Sequence, residues 1–187
     1  GLRIGPIFLP FDDEKDTREA PTLQSAVGKF GPIGPEFAPG TTYSYNNAGY
    51  NTVGAIIERA SGMTLEEVLR TRIYEPLGMT DTLNHEDETK LARMATVYEG
   101  QTGGDGKIRW TQRFTPGDAP DFPVIRASGG MISTAMDYAT FLQMYLNGGE
   151  YGRARVLTAA SIAKATTSYI DAEKDGGYGY GWMVAPD

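Results

Sequence analysis

At 187 residues the chain has the length of one domain, and 40% hydrophobic with 22% charged residues are the values of a folded globular chain rather than a disordered one. It has no cysteine and a single histidine, His85, which excludes disulfides, iron–sulfur clusters, cysteine zinc sites and a thiol nucleophile, and leaves a Ser-His-Asp triad only that one imidazole. A net charge of −7 repels phosphate backbones and argues against nucleic acid as a partner, and no apolar run approaches the about 18 residues of a membrane span.

Residues 1–40 read as loop, punctuated by Gly5-Pro6, Gly31-Pro32, Gly34-Pro35 and Pro39-Gly40, where proline removes an amide donor and fixes φ; a short helix fits 21–29. The first residue is Gly rather than Met and no signal-peptide pattern is present, which reads as a removed leader or a piece of a longer protein. The acidic run Asp12-Asp13-Glu14 reads as a solvated face, because three adjacent carboxylates in a loop do not converge on one metal. Tyr50, Val53, Ile56, Ile57 and Ala60 then recur at helical spacing, with Gly62 as the stop. Thr64-Leu65-Glu66-Glu67 is a capping box, which gives both glutamates a structural role; Leu65, Val68, Leu69 and Ile73 form the buried stripe of that helix and Pro76 ends it.

Residues 93–114 read as a hairpin with strands at Val97-Tyr98 and Ile108–Thr111 and Asp105-Gly106 in the turn. Its glycine-rich tip resembles a phosphate loop only superficially. The glycine spacing is out of register, Ile108 stands where a magnesium-binding hydroxyl is needed, and no helix follows. A third helix follows Gly129-Gly130, capped by Ser133 or Thr134, with Asp137 in its first turn and Tyr138, Phe141, Leu142, Tyr145 and Leu146 as its apolar face. A fourth spans about 158–166, and Gly177–Val184 alternates like a strand.

Three constellations could carry chemistry. His85 lies in the polar stretch Asn84–Glu88, where a surface histidine among acids is the better reading, since no nucleophile or orienting partner is apparent. Ser161 and Lys164 stand at i and i+3 on one helix face, the spacing that lets a lysine relay a serine proton; the pattern is short and common, and a solvated lysine outweighs it. Tyr45 and Asn47 stand just before the first strong helix. A tyrosine acts as base only if positive charge lowers its pKa well below about 10, and Asn47 offers an acceptor and two donors to an amide or a lysine head. Taken alone, Asn47 reads equally as a helix cap and Tyr45 as a packed aromatic.

The wider pattern weights the third. Pro39-Gly40-Thr41, Tyr45-Asn46-Asn47-Ala48-Gly49-Tyr50, Gly54 with Ile56-Ile57-Glu58, Ser61-Gly62, and Glu75-Pro76-Leu77-Gly78-Met79 with Asp81-Thr82 together resemble the class C β-lactamase-like serine hydrolases, which include β-lactamases, D-alanyl-D-alanine carboxypeptidases and esterases. Ala127-Ser128-Gly129-Gly130-Met131, Ser133-Thr134-Ala135, Asp137 and Asn147-Gly148-Gly149 agree. The resemblance covers 36–84 and 127–182. It implies acyl-enzyme chemistry on an amide or ester, with Tyr45 as the proton shuttle of a Tyr-x-Asn motif and Asn47 orienting substrate and lysine. The Ser-x-x-Lys of that family belongs upstream of the tyrosine, where only Ser25–Lys29 stands, at the wrong spacing; Ser161-Lys164 lies downstream, so it is only an alternative nucleophile pair. The third motif, Lys-Thr-Gly or His-x-Gly, is not found.

The expected architecture is therefore α+β and mainly helical: one partial domain of a β-lactamase/transpeptidase-like fold with a hairpin insertion, lacking most of the central antiparallel sheet. Its parts are a loop-rich lead-in (1–40), the Tyr-x-Asn motif with its helices (41–84), a hairpin and loop insertion (85–126), and helices with the start of a strand (127–187). The expected function is a serine-hydrolase fragment, inactive alone, whose parent cleaves a β-lactam, a D-Ala-D-Ala peptide or an ester. The alternative is a non-catalytic relative that binds a peptide, peptidoglycan or a partner chain. The resemblance implies no metal or organic cofactor, favours a periplasmic or extracytoplasmic setting, and leaves an apolar wall for self-association or for the missing parts of the parent chain.

Overall fold

A computed structural model describes residues 22–29, 35, 37–84, 90, 92–115, 127–172 and 176–185. His85, the acidic run at 12–14, and most of the lead-in lie outside these residues.

The helices begin where side chains can satisfy orphan amides. Helix α1 (Leu23–Gly28) is capped by Thr22, whose hydroxyl accepts from Ser25 N–H while Ser25 Oγ accepts from Thr22 N–H. Helix α2 (Asn47–Ser61) ends at Gly62, whose φ of 69° is the left-handed region that glycine enters without steric cost. Helix α3 (Leu65–Leu69) opens with the expected capping box of Thr64 and Glu67. Glu58 of α2 accepts from Leu65 N–H at 3.1 Å and from Gln24 Nε2 at 3.1 Å, so one carboxylate ties α2 to both neighbours.

Pro76 does not end the third helical stretch. The chain continues from α3 through a wide turn at Arg70–Tyr74, where Glu75 N–H reaches the Arg70 carbonyl five residues back, into α4 (Glu75–Leu77). Proline offers no amide and its ring crowds the carbonyl four residues earlier; the five-residue repeat accommodates both constraints. Termination comes at Gly78, with φ 68°, where Met79 N–H bonds Tyr74 O (2.9 Å) and Gly78 N–H bonds Glu75 O (3.1 Å), the paired bonds of a Schellman end.

Strands β1 (Val97–Thr102) and β2 (Ile108–Phe114) form the expected antiparallel hairpin. Helix α5 (Ala135–Leu146) is capped by Thr134, which accepts from Asp137 N–H. The short strands β3 (Glu150–Tyr151) and β4 (Ala154–Arg155) pair before α6 (Ala159–Ala165). The sequence 177–184 is not one strand. It forms β6 (Gly177–Tyr178) and β7 (Met183–Val184) around a glycine turn, and β5 (Ile170–Asp171) completes an antiparallel sheet in the order β5-β6-β7.

Two apolar clusters share Leu69. One joins α1, α2 and α3 through Leu23, Ala26, Ala48, Ala55 and Leu65; the other joins the wide turn, α4 and α5 through Tyr74, Leu77, Met79 and Met144. In α2 the buried residues are Ala48, Asn51, Gly54 and Ala55, whereas Tyr50, Val53 and Ile56 are exposed, contrary to the expected stripe. Close approach explains the reversal: a Cβ on Gly54 would stand 2.7 Å from Ala127 Cβ and 3.0 Å from Leu23 Cδ2. In α5 Met144 is fully buried and Leu146 is 87% exposed, so Leu146 does not belong to the apolar face.

Asp137 does more than complement the α5 dipole. Its Oδ2 accepts from Asp81 N–H and from Thr82 Oγ1, each at 2.9 Å, and Thr82 Oγ1 lies 2.8 Å from Ser133 Oγ. A backbone bridge between Leu83 and Ile132 extends the link. The Asp81-Thr82 and Ser133–Asp137 motifs are thus one hydrogen-bonded joint.

Candidate active site

The start of α2 places the Tyr-x-Asn residues. Asn46, not Asn47, is the cap: its backbone is extended, its Oδ1 accepts from Gly49 N–H at 2.6 Å, and its Nδ2 donates to Ser44 O at 3.3 Å. Asn47 becomes the first helical residue, half-buried, and among the described residues its carboxamide has no hydrogen-bond partner. Tyr45 precedes the cap and is 67% exposed. The cap fixes the backbone between them, so both side chains leave a rigid corner rather than a mobile loop.

Tyr45 lines a cavity of about 360 Å³ with Tyr43, Tyr50, Tyr178, Val53 and Ile170; Asn47 is not among its lining residues. The hydroxyls of Tyr50 and Tyr178 lie 2.5 Å apart, and the Tyr43 and Tyr178 rings are 5.1 Å apart. Burial, then the hydrogen bond with Tyr50, which favours the protonated form, pushes the Tyr178 hydroxyl up to about 12, and negative charge on Tyr45 would push it the same way. Among the described residues no lysine or arginine lines this cavity. The positive charge that a tyrosine base requires is therefore not supplied by the described part of the lining.

A second cavity of about 440 Å³ adjoins the first through Tyr50 and Val53 and is mostly apolar, with Asn84 and Ser128 as polar points. Its 127–129 wall is held to α2 by Asn51, which is 1% exposed and accepts from Ser128 N–H at 3.2 Å. Asn84 accepts from the buried Tyr74 hydroxyl at 2.8 Å. A third hollow, of about 400 Å³, is lined by Asp81, Lys90, Arg93 and Ser133, with Arg93 paired to Asp81 at 2.7 Å.

Ser161 and Lys164 are placed differently. Thr158 caps α6 by accepting from Ser161 N–H, and the two hydroxyls lie 2.9 Å apart. Ser161 and Lys164 are exposed, no hydrogen bond joins them, and neither lines any of the three cavities. Lys164 sits in the last turn, where a cation suits the helix dipole. Tyr50, placed by the sequence only within the helix and the Tyr45–Tyr50 motif, meets Tyr178 here, and Asn51 anchors the neighbouring wall; the Gly-Tyr alternation at 177–180 is the one sequence signal for Tyr178. Among the described residues no group of three or more His, Cys, Asp or Glu side chains could hold a metal ion. Among them, too, no helix is long and apolar enough to cross a membrane.

Comparison with known proteins decides the family. Residues 5–187 match the Beta-lactamase family model. The chain belongs to the beta-lactamase family. Similar curated proteins include a putative D-alanyl-D-alanine carboxypeptidase of Escherichia coli K12, 31% identical over 163 residues, covering 80% of this chain and 36% of that protein. Penicillin-binding protein 4 of Amycolatopsis lactamdurans is 29% identical over 166 residues, 81% of this chain and 40% of that one. Among solved structures, the octameric penicillin-binding protein homologue of Pyrococcus abyssi matches with TM-score 0.69 at 26% identity, over 97% of this chain and 40% of that chain. The D-amino acid amidase of Ochrobactrum anthropi SV3 matches with TM-score 0.67 at 25% identity, over 97% and 50%. The fold is thus that of the β-lactamase and penicillin-binding-protein group, and the chain spans well under two thirds of the relatives it matches.

Proposed function

We propose that the chain supplies the Tyr-x-Asn wall of a serine hydrolase that cleaves an amide or ester through an acyl-enzyme, and that it is inactive without the remainder of that enzyme. One observation carries the reading. Asn46 takes the helix cap, which leaves Tyr45 exposed at the mouth of the tyrosine-lined cavity and the Asn47 carboxamide free of described partners.

In this reading Tyr45 passes a proton between the attacking serine and the leaving group, and Asn47 grips a substrate carbonyl or amide with its donor and acceptor. A serine and lysine from beyond these residues complete the site, and the lysine ammonium supplies the positive charge that the described lining lacks. The described sheets have two or three strands each, which supports reading the chain as part of a larger fold. D-alanyl-D-alanine peptides and small amides are the substrates favoured, because the matched relatives carry those activities in their names.

Intact mass after incubation with a fluorophosphonate and, separately, a penicillin tests this. The 187-residue chain is expected to stay unmodified while folded, and a longer protein containing it and an upstream Ser-x-x-Lys is expected to gain one adduct. A stoichiometric adduct on the short chain would place the nucleophile inside it and overturn the proposal, with Ser161 the first residue to examine.

A further inference from the structure

The β1–β2 ribbon has two unlike faces. Register places Tyr98 opposite Gln112, Gly100 opposite Trp110, and Thr102 opposite Ile108, so these six uncharged residues share one face. Glu99, Gln101, Arg109 and Thr111 occupy the other, with Arg109 paired to Asp105 at 2.8 Å. On the uncharged face Trp110 is 66%, Ile108 57% and Tyr98 56% exposed. A two-stranded ribbon on its own is marginal in water, and leaving these three side chains wet adds to that cost.

Gly100 gives the face its shape. A Cβ there would stand 2.9 Å from Trp110 Cζ3 and 3.0 Å from Ile108 Cγ2, so the absent side chain lets the indole lie down across the strand, beside Ile108. The result is a flat aromatic surface bordered by the hydroxyls of Tyr98 and Thr102 and by the Gln112 amide, with no charge on it. We propose that this surface is a stacking platform for a pyranose ring of an oligosaccharide. A sugar ring has an apolar C–H face that matches the indole and a hydroxyl rim that matches the surrounding polar groups. The uncharged face gives no preference to an ionic partner. A second copy of the chain fits less well: three side chains of about 150–250 Å² each, little more than half exposed, offer on the order of 300–400 Å², against about 800 Å² per partner in a stable protein interface. None of the six residues on this face lines the Tyr45 cavity, so the platform stands or falls independently of the hydrolase reading.

The test is tryptophan emission of the 187-residue chain titrated with the N-acetylglucosamine hexamer and with cellohexaose. The chain has two tryptophans, and Trp182 packs against Tyr145 with ring centroids 4.8 Å apart, so Trp182→Phe leaves Trp110 as the sole reporter. The expected result is a saturable shift with at least one sugar. Trp110→Ala, followed by calorimetry because the reporter is gone, is expected to bind at least about ten-fold more weakly, the loss typical of a central aromatic contact. Gly100→Ala keeps the indole but tilts it, and is expected to weaken binding in the same direction. No saturable change with either sugar overturns the proposal, as does undiminished binding by Trp110→Ala. An emission shift that follows protein concentration, with a doubled mass in sedimentation, overturns it in favour of self-association.

Discussion

Helices α2 and α6 each begin at a small polar cap with a candidate polar residue in the first turn, Asn47 in one and Ser161 in the other, yet they leave those side chains in opposite conditions. At α2 the middle residue of Tyr45-Asn46-Asn47 takes the cap; Tyr45 remains open to solvent and to the cavity, and the half-buried Asn47 keeps its carboxamide free of described partners. At α6 the serine of the Ser161-Lys164 pair is itself joined to the capping threonine. The difference teaches that a polar motif at a helix start can be read functionally only after the cap has been assigned. A side chain occupied by orphan amides is fixed in place, whereas its neighbours are merely oriented.

The largest expected effect separates the two starts directly. In a complete enzyme containing this region, Tyr45→Phe should lower kcat by about 10²–10⁴-fold, the usual weight of a proton-transfer group. Ser161→Ala should leave kcat within about two-fold, and the reverse outcome in a steady-state assay would reverse the assignment of the two starts. Next, Asn46→Ala and Thr158→Ala should each destabilise the chain by about 1 kcal/mol in denaturant melts, as cap losses do. Only Asn46→Ala should also reduce turnover, because only that cap positions the proposed site.

Smaller effects sharpen the α2 side. The folded chain holds the Tyr178 proton up to about 12 against an ordinary value of 10.0. The contribution of that hydroxyl is therefore intact below pH 10 and is lost as pH rises toward 12. Alkaline melts should show this decline, and Tyr178→Phe should flatten it. The smallest effect concerns α3. The Glu67 carboxyl is held below its ordinary 4.5 by hydrogen bonds from the Thr64 backbone and then the Thr64 hydroxyl. Its stabilisation is present above that value and is lost as the pH falls below it through the lowered folded value. Acid melts should lose this slope in Glu67→Gln while the helix persists.

Local signals in the sequence were sufficient for α1, for the Gly62 stop, for the Thr64 box and for the Asp105-Gly106 turn, because each depends on residues within one turn of one another. Which face of α2 is buried was not legible. Hydrophobicity favours Tyr50, Val53 and Ile56, but burial follows Ala48, Gly54 and Ala55, since small residues admit neighbouring helices and large ones hold them off. The same holds for Met144, whose flexible chain fills the core where Leu146 was expected. At the site, Tyr45 and Asn47 were reached through resemblance to a family, not through spacing. Tyr178 stayed hidden because it meets Tyr50 across 128 residues of chain, and no local pattern encodes that meeting. Asp137 was visible as a dipole partner, while its bonds to Asp81 and Thr82 belong to the tertiary structure.

The wide turn at Arg70–Tyr74 has a consequence for how the chain tolerates insertions and deletions. It amounts to one additional residue absorbed within a helix, which offsets the angular phase of everything beyond it by about 100°. Leu69 lies before the turn and Tyr74 and Leu77 lie at or beyond it, so the phase offset decides how Leu69 can contact both apolar clusters at once. Removing one residue there would restore a regular helix and turn Leu77 away from Met144, although no contact in either cluster would have been mutated. Lengthening the tip of the β1–β2 ribbon by one residue disturbs no such phase relation. Homologous chains should accordingly vary in length at the ribbon tip and keep a constant count between Leu65 and Gly78.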